Sequence, residues 1–179
     1  MGKKVLIVST SLRGKSNSET LAHEFERGAK DAGHDVEFLS LKGKKINFCV
    51  GCLTCGTRGR CFMDDDAIAI EEKFMAADVV VWATPIYYYA PSGSMKTLID
   101  RLNPLYSKDY RFREVYVLST AAENAETTPA RVVSCVEGWI ECLPKAQLKG
   151  SLFCGDVNDA GQIAGNPKLQ DAYEMGKNV

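Results

Sequence analysis

Residues 5–18 read VLIVSTSLRGKSNS, and this stretch decides the fold class. Its first four residues form a continuous apolar run, which is typical of a β-strand covered on both faces. A polar loop follows, and residues 21–32 then repeat apolar side chains at helical spacing until Gly33 ends the segment. A buried strand that leads through a polar loop into a helix is the first half of a βαβ unit.

The same alternation of apolar runs and helical segments recurs along the rest of the chain. We predict further strands at residues 36–41, 78–84, 115–120 and 148–154. Helices are predicted from about 64 to 77, 92 to 105, 132 to 143 and 169 to 176, and the third strand is expected to break at Pro85. Five such strand–helix pairs predict one α/β domain over residues 1–179, with a doubly wound five-stranded parallel sheet and helices on both faces.

The composition is that of a folded chain with balanced charge. Hydrophobic residues make up 45%, and 22 Lys+Arg stand against 23 Asp+Glu, for a formal charge of -1. This balance gives no reason to expect a polyanion, so we predict no nucleic-acid partner. The longest apolar run, residues 79–83, is far shorter than the ~20 residues of a membrane-spanning helix, and no signal-peptide core is present. We therefore expect no membrane partner and a cytoplasmic location.

The loop after the first strand has the make-up of a phosphate-binding site. Side-chain donors and the free N–H groups at a helix start can surround a phosphate, and the helix dipole adds to the attraction. The candidate ligands are Ser9, Ser11, Arg13, Ser16, Asn17 and Ser18. Ser16 and Glu19 also have the spacing of a capping box, and both roles can hold together.

Two other nucleotide-binding motifs are incomplete in this sequence. Residues 14–16 end like a Walker A loop, but Ser9 stands where its first glycine belongs, which makes a P-loop NTPase the weaker alternative. No G-x-G-x-x-G fingerprint occurs, so a mononucleotide phosphate is favoured over a dinucleotide.

The loop after the third strand is rich in tyrosine and proline. Residues 84–94 read TPIYYYAPSGS. Aromatic and apolar side chains offer faces for a planar ring, and backbone groups can bond its edge. The ring-binding candidates here are Thr84, Pro85, Ile86, Tyr87 and Tyr88. Tyrosines in a subunit interface or in the core are the alternative.

Four of the seven cysteines lie in one short stretch, spaced Cys49-x-x-Cys52-x-x-Cys55-x5-Cys61. Such compact spacing suits the four thiolates of a [4Fe-4S] cluster. Zinc is a weaker alternative because structural zinc sites usually use two separated pairs, and free or exchanging thiols remain a third. The remaining three are predicted to pack as small hydrophobes in the core: Cys135, Cys142 and Cys154.

In this order the motifs resemble the flavodoxin-like NAD(P)H-dependent FMN reductases, and within them the iron-sulfur flavoproteins. The first motif is Ser9-x-Ser11-x-Arg13-x-x-Ser16-Asn17-Ser18. The second is the four-cysteine spacing followed by Asp64-Asp65-Asp66. The third is Thr84-Pro85-Ile86-Tyr87, followed by Lys96 and Asp100-Arg101. The likeness spans nearly the whole chain.

The resemblance implies a flavodoxin-like fold that binds FMN. The phosphate would lie on Ser11, Arg13, Asn17 and Ser18, and the ring against residues 85–88. The other side of the ring would be closed by Thr120 and Ala121, although residues 121–124 read AAEN and lack the glycines often found there. No catalytic side chain is assigned, because a flavin carries the redox chemistry itself. His23 and His34 lie away from all these loops and are read as solvated surface.

The resemblance also implies partners. NAD(P)H would be the co-substrate, and the electron acceptor a small molecule such as a quinone, a nitro or azo compound, or free flavin. Homodimers or homotetramers are implied as well. The alternative is an electron carrier that holds a [4Fe-4S] cluster and exchanges electrons with ferredoxin. The formal charge of -1 favours the reductase, because carriers that dock through charge are usually strongly acidic.

Overall fold

The computed structural model of the chain describes residues 2–179. Its strands are β1 (Lys4–Ser9), β2 (Asp35–Ser40), β3 (Val79–Tyr87), β4 (Ala90–Pro91), β5 (Glu114–Thr120) and β6 (Gln147–Cys154). Its helices are α1 (Asn17–Asp31), α2 (Thr54–Arg58), α3 (Asp66–Ala76), α4 (Gly93–Arg101), α5 (Ala130–Glu141) and α6 (Lys168–Lys177), and a 3-10 helix covers Asn103–Ser107.

The strands form one sheet in the order β2-β1-β3-β5-β6, and each neighbouring pair in this series is parallel. The two-residue strand β4 pairs antiparallel with β3. With β4 set aside, this is the strand order of the flavodoxin-like doubly wound sheet. The fold class predicted from the sequence is therefore confirmed.

Helices cover both faces of the sheet. On one face α3, α4 and α5 pack around the fully buried Trp82 and Phe74. On the other face α1 and α6 pack with Phe25 and Ala172. Because both faces are covered, the ends of the strands are the parts of the sheet left for a ligand.

The third strand does not break at Pro85, as the sequence predicted, but continues to Tyr87. The last residue of β3 that pairs with β1 is Ala83, so Pro85 lies where one side of β3 has no ladder partner. A missing N–H is tolerated at such a position. The strand then turns back into β4, which gives the loop after β3 a regular hairpin.

Two other predictions needed correction. The single helix predicted over residues 92–105 is instead α4 followed by a separate 3-10 turn, and Pro104 lies in the first part of that turn, where its ring prevents an α-helix from continuing. Cys154 is buried and Cys135 half-buried, but Cys142 is exposed at the C-cap of α5, so its predicted place in the core is wrong.

None of the helices within residues 2–179 combines the length and the apolar character that crossing a bilayer would require.

Candidate functional site

The loops that follow β1, β3 and β5 meet at the carboxyl edge of the sheet. These three strands are neighbours. Thr10 N donates to Ala83 O at 2.9 Å, so the loop after β1 stays joined to β3 beyond the ladder. Ligands of open parallel sheets bind at this edge, and the loops singled out in the sequence therefore lie where a site belongs.

Residues 14–18 present a run of backbone N–H groups without an acceptor. Within residues 2–179 their amide nitrogens donate no hydrogen bond, whereas the flanking nitrogens of Arg13 and Glu19 both donate to serine hydroxyls. Lys15 has a left-handed φ of 50°, a conformation that makes successive N–H groups converge on an anion. The run ends in the first turn of α1, where the helix dipole also favours negative charge.

Three buried hydroxyl groups accompany these N–H groups. Ser16 caps α1 by accepting from Glu19 N at 3.3 Å, and its Oγ lies 3.1 Å from Ser18 Oγ. Ser11 Oγ accepts from Arg13 N at 3.3 Å. A hydroxyl has a single proton to donate, so Ser11 and one member of the Ser16–Ser18 pair can donate to a phosphate oxygen while that pair stays bonded.

The other predicted phosphate ligands have side chains engaged elsewhere. Ser9 Oγ donates to Glu19 Oε2 at 2.9 Å. The Glu19 carboxylate therefore bonds Ser9 and not the backbone N–H of Ser16, as the predicted capping box would require. The Asn17 amide bonds three backbone groups within residues 157–163. Arg13 Nη1 donates to a carbonyl oxygen of the same loop at 2.8 Å. Within residues 2–179 the Asn17 side chain is therefore occupied by these bonds, whereas its backbone N–H donates none.

Two parts of this edge were missed from the sequence. The loop of residues 157–163 packs over the start of α1 through Asn17, but no motif in its sequence signals that role. Lys42 Nζ lies 3.8 Å from the point that a Cβ on Gly14 would occupy. Lys42 follows the second strand at the carboxyl edge of the sheet, and this position in the sequence could have identified it as a candidate site residue.

A buried network of hydroxyl groups fixes the loop after β3. Thr10 Oγ1 and Ser92 Oγ lie 2.9 Å apart. Thr84 Oγ1 donates to Ser92 Oγ at 3.2 Å and accepts from Ser92 N at 3.1 Å. Ser94 Oγ donates to Thr10 O at 2.5 Å. Of these four residues, only Thr84 was named from the sequence, and its role here is to hold the hairpin to β1.

The hairpin of β3 and β4 carries the predicted ring-binding residues. Pro85 and Ile86 are half-buried at its base. Tyr87 is 54% exposed and Tyr88 98% exposed, so neither packs in the core. The carboxylate of Glu123, in the loop after β5, raises the pKa of Tyr89. The tip of the β3–β4 hairpin thus lies beside the loop after β5.

Thr120 and Ala121 lie buried at the end of β5. Ala121 N donates to Cys154 O at 3.1 Å, and Ala121 O accepts from Val157 N at 3.0 Å. The start of this loop is therefore fixed to β6 and to the loop that packs over α1.

The two histidines lie away from these loops. The exposed His23 stacks on Phe38, with ring centroids 4.1 Å apart. His34 is half-buried rather than fully solvated, because it bonds Lys3 N and Val179 O. Neither residue joins the candidate site.

The four cysteines of the motif line a single cavity of about 860 Å³. Its walls are the cysteine loop (residues 49–63), α4, the 3-10 turn and α5. Cys135 and Cys142 on α5 line the same cavity. Three motif sulfurs accept hydrogen bonds: Cys61 from Arg101 Nη2 at 3.4 Å, Cys55 from Asn103 Nδ2 at 2.9 Å, and Cys52 from Thr54 Oγ1 at 3.3 Å. The bond from Thr54 lowers the pKa of the Cys52 thiol.

A buried ion pair holds the end of the cysteine loop. Arg101 Nη1 and Nη2 donate to the two carboxylate oxygens of Asp65 at 2.6 and 2.9 Å, and both side chains are almost fully buried. Burial alone would raise the pKa of Asp65, but hydrogen bonds from Arg101, Asn47 and Ala67 lower it to about 2. The same guanidinium bonds Cys61, so this pair positions the last thiol of the motif.

The model of the family described as NADPH-dependent FMN reductase matches residues 3–132. The chain belongs to this family. The match covers β1 to β5 and every loop of the candidate site except residues 157–163.

Relatives of this chain include iron-sulfur flavoproteins of archaea. One, from Methanocaldococcus jannaschii, is 35% identical over 102 residues, which are 57% of this chain and 53% of the relative. Another, from Methanosarcina thermophila, is 24% identical over 173 residues, which are 96% of this chain and 87% of the relative. The chain thus spans about half the length of the first relative and most of the second.

The fold of this chain also matches solved structures. An NAD(P)H:quinone oxidoreductase from Methanothermobacter marburgensis superposes with a TM-score of 0.75 at 18% identity, covering 99% of this chain and 96% of that one. At this identity the match shows a shared fold.

The donor groups at the carboxyl edge of the sheet fit the phosphate of FMN. The acceptor-free N–H groups of residues 14–18 and the hydroxyls around them are the donor set that a phosphate needs. The four thiols of the cysteine loop are the ligand types that an iron-sulfur cluster uses. Three of their sulfurs also accept hydrogen bonds from N–H or O–H groups. Within residues 2–179, however, no three of the Cys, His, Asp or Glu side chains are already arranged to hold a metal.

Proposed function

We propose that this chain is an FMN-dependent NAD(P)H oxidoreductase that reduces a small acceptor such as a quinone, a nitro or azo compound, or free flavin. When bound, FMN supplies the hydride chemistry, so that NAD(P)H is oxidised to NAD(P)+ and a quinone takes up two electrons and two protons. The chain's own residues bind and orient the cofactor. We infer a cytoplasmic location for this enzyme.

The proposal depends above all on the acceptor-free N–H groups of residues 14–18. Leaving such donors without partners costs free energy unless water or a ligand satisfies them, and a phosphate group satisfies several at once. Ser11 and Ser18 add hydroxyl donors, and Lys42 adds positive charge beside Gly14. We therefore assign the FMN phosphate to this loop.

The ring of FMN would lie between the hairpin and the loop after β5. Pro85 and Ile86 offer an apolar surface at the base of the hairpin, and Thr120 and Ala121 limit the opposite side. The network around Ser92 holds the hairpin at a fixed position relative to β1, where the phosphate loop begins. Phosphate and ring sites are thus built on adjacent strands, at a distance set by the sheet.

Equilibrium titration tests the phosphate assignment, with riboflavin as the matched ligand because it lacks only the phosphate. We expect FMN to bind at least about 100-fold more tightly than riboflavin, since charge-assisted hydrogen bonds are the strong ones. Ser18→Ala should weaken FMN binding by about tenfold and leave riboflavin unchanged. The exposed Ser134→Ala on α5 is the control and should change neither. Equal affinity for the two flavins would contradict the assignment.

The reductase activity is tested by adding NADH or NADPH to the FMN-loaded protein without oxygen. We expect the flavin absorbance to bleach and to return when a quinone is added. A flavin that stays oxidised with both nicotinamides would contradict the proposed activity, even if FMN binds as expected.

A second candidate is an iron-sulfur flavoprotein that carries electrons, with ferredoxin as a partner. It is favoured by the hydrogen bonds to Cys52, Cys55 and Cys61, because such bonds tune the potential of a cluster. The iron-sulfur flavoproteins among the relatives support the same candidate.

A further inference from the structure

Residues 155–163, which we call the strap, bond the start of α1 through one side chain. The strap follows β6 and lies outside the family match, which ends at residue 132. Asn17 Nδ2 donates to Val157 O at 3.3 Å and to Asp159 O at 2.9 Å. Asn17 Oδ1 accepts from Ile163 N at 3.2 Å. Both N–H donors of this amide are therefore used by the strap, and the residue is only 7% exposed.

The beginning of the strap is held by the loop after β5. Val157 N donates to Ala121 O at 3.0 Å, and Asn124 Nδ2 donates to Asp156 Oδ2 at 2.8 Å. A Cβ on Gly155 would lie 2.5 Å from Asn124 Cα, so the two segments approach as closely as only glycine permits. The strap thus joins the start of α1, where the phosphate loop ends, to the loop that would limit the ring of FMN.

A turn inside the strap connects these two sets of contacts. Gln162 Oε1 accepts from Asn158 N at 2.7 Å and from Asp159 N at 2.8 Å. Gln162 itself is exposed, and within residues 2–179 its side chain bonds only these two groups. Val157 and Ile163, on either side of the turn, are buried. One exposed side chain therefore stabilises the conformation in which the strap holds both loops.

We propose that Asn17 is a positioning residue, which holds the strap and through it sets the position of the phosphate loop relative to the ring loop. This inference rests on the proposed function, because these two loops are the ones assigned to the two ends of FMN. A side chain that bonds the phosphate affects FMN alone. A side chain that positions both loops affects every flavin, including riboflavin, which lacks the phosphate.

Equilibrium titration of Asn17→Ala with FMN and riboflavin separates the two roles. We expect both flavins to bind about tenfold more weakly, so that the ratio of their affinities stays within about twofold of the wild-type ratio. Asn178→Ala is the matched control, because it removes a bond of the same kind, to Glu174 O at 2.7 Å, on an exposed part of α6. It should change neither affinity. A loss confined to FMN would make Asn17 a phosphate ligand and overturn the inference.

Gln162 tests the strap from a position outside the phosphate loop. Gln162→Ala should weaken riboflavin binding about fivefold, whereas Gln162→Glu keeps an accepting oxygen and should bind riboflavin as the wild type does. Hydrogen exchange of the flavin-free protein gives a readout that needs no ligand. Residues 155–163 should exchange faster in Asn17→Ala and in Gln162→Ala, while helix α5 should exchange as in the wild type.

Three results would decide against this role of the strap. Unchanged riboflavin affinity in both Asn17→Ala and Gln162→Ala would overturn the inference while leaving FMN binding by the wild type intact. Faster exchange of the strap without any change in riboflavin affinity would show a purely structural contact and would overturn it as well. A wild type that binds neither flavin would instead end the proposed function, and this inference with it.

Discussion

Asp65 and Arg101 form the contact that ties the cysteine loop to the end of α4. Their charges are almost completely buried, and the guanidinium also bonds Asn47 O and Cys61 Sγ. Removing one member of such a pair leaves the other charge buried without a partner, which is far more costly than losing an exposed ion pair. One carboxylate therefore controls both the stability of the fold and the position of a motif thiol.

Asp65→Asn should lower the free energy of unfolding by about 3–5 kcal/mol, measured by urea denaturation at pH 7. The folded pKa of about 2 lies below the usual value of 3.8, so the carboxylate adds stability above pH 4 that is lost as the pH falls towards 2. The fall in the free energy of unfolding between pH 4 and pH 2 should therefore be smaller in Asp65→Asn. The exposed neighbour Asp64→Asn is the control and should match the wild type. Equal stability of all three proteins would contradict a structural role for the pair.

The cysteine loop presents its four thiols to one cavity beside α4 and α5. Its spacing fits a [4Fe-4S] cluster, and its sulfurs already receive hydrogen bonds. The thiols line one cavity without being gathered into a metal site among residues 2–179. Loading a cluster would thus require the loop to tighten, and an exposed loop that contains only the short helix α2 has few contacts to oppose this.

Anaerobic reconstitution with iron and sulfide should give about four of each per chain if this loop holds a cluster. Cys55→Ser should abolish the incorporation, because a thiolate ligand is lost. Cys142→Ser is the matched control, since Cys142 lines the same cavity but lies outside the motif, and it should retain the cluster. Iron and acid-labile sulfide analysis measures the result. Less than about one iron per wild-type chain would remove the cluster, and with it the carrier candidate that depends on it.

The sequence predicted the parts of the molecule that depend on local pattern. Apolar runs and helical spacing located the five parallel strands. Contacts between distant residues were not predictable in this way. The Asn17 side chain donates hydrogen bonds to carbonyl groups about 140 positions further along the chain, and no pattern in the sequence indicates these contacts. Likewise β3 runs past Pro85 only because β4 returns to pair with it.

The last helix is joined to the first by a pair of glycines. A Cβ on Gly28 would lie 2.0 Å from Tyr173 O, and one on Gly176 would lie 2.0 Å from Phe25 O. The backbones of α1 and α6 therefore approach too closely for any side chain at these positions. This crossing fixes the C-terminal helix α6, which lies beyond the family match, to the helix that follows the loop after β1.

Gly28→Ala should force α1 and α6 apart and lower the free energy of unfolding by about 1–3 kcal/mol, because backbone atoms cannot move aside as flexible side chains do. Thermal unfolding followed by circular dichroism should show a fall in Tm of several degrees. Gly138→Ala is the matched control within α5, where an added Cβ meets nothing within 4 Å. It should raise stability by about 0.5–1 kcal/mol, as alanine does in a helix interior. If both variants gained stability alike, the close crossing of α1 and α6 would be wrong.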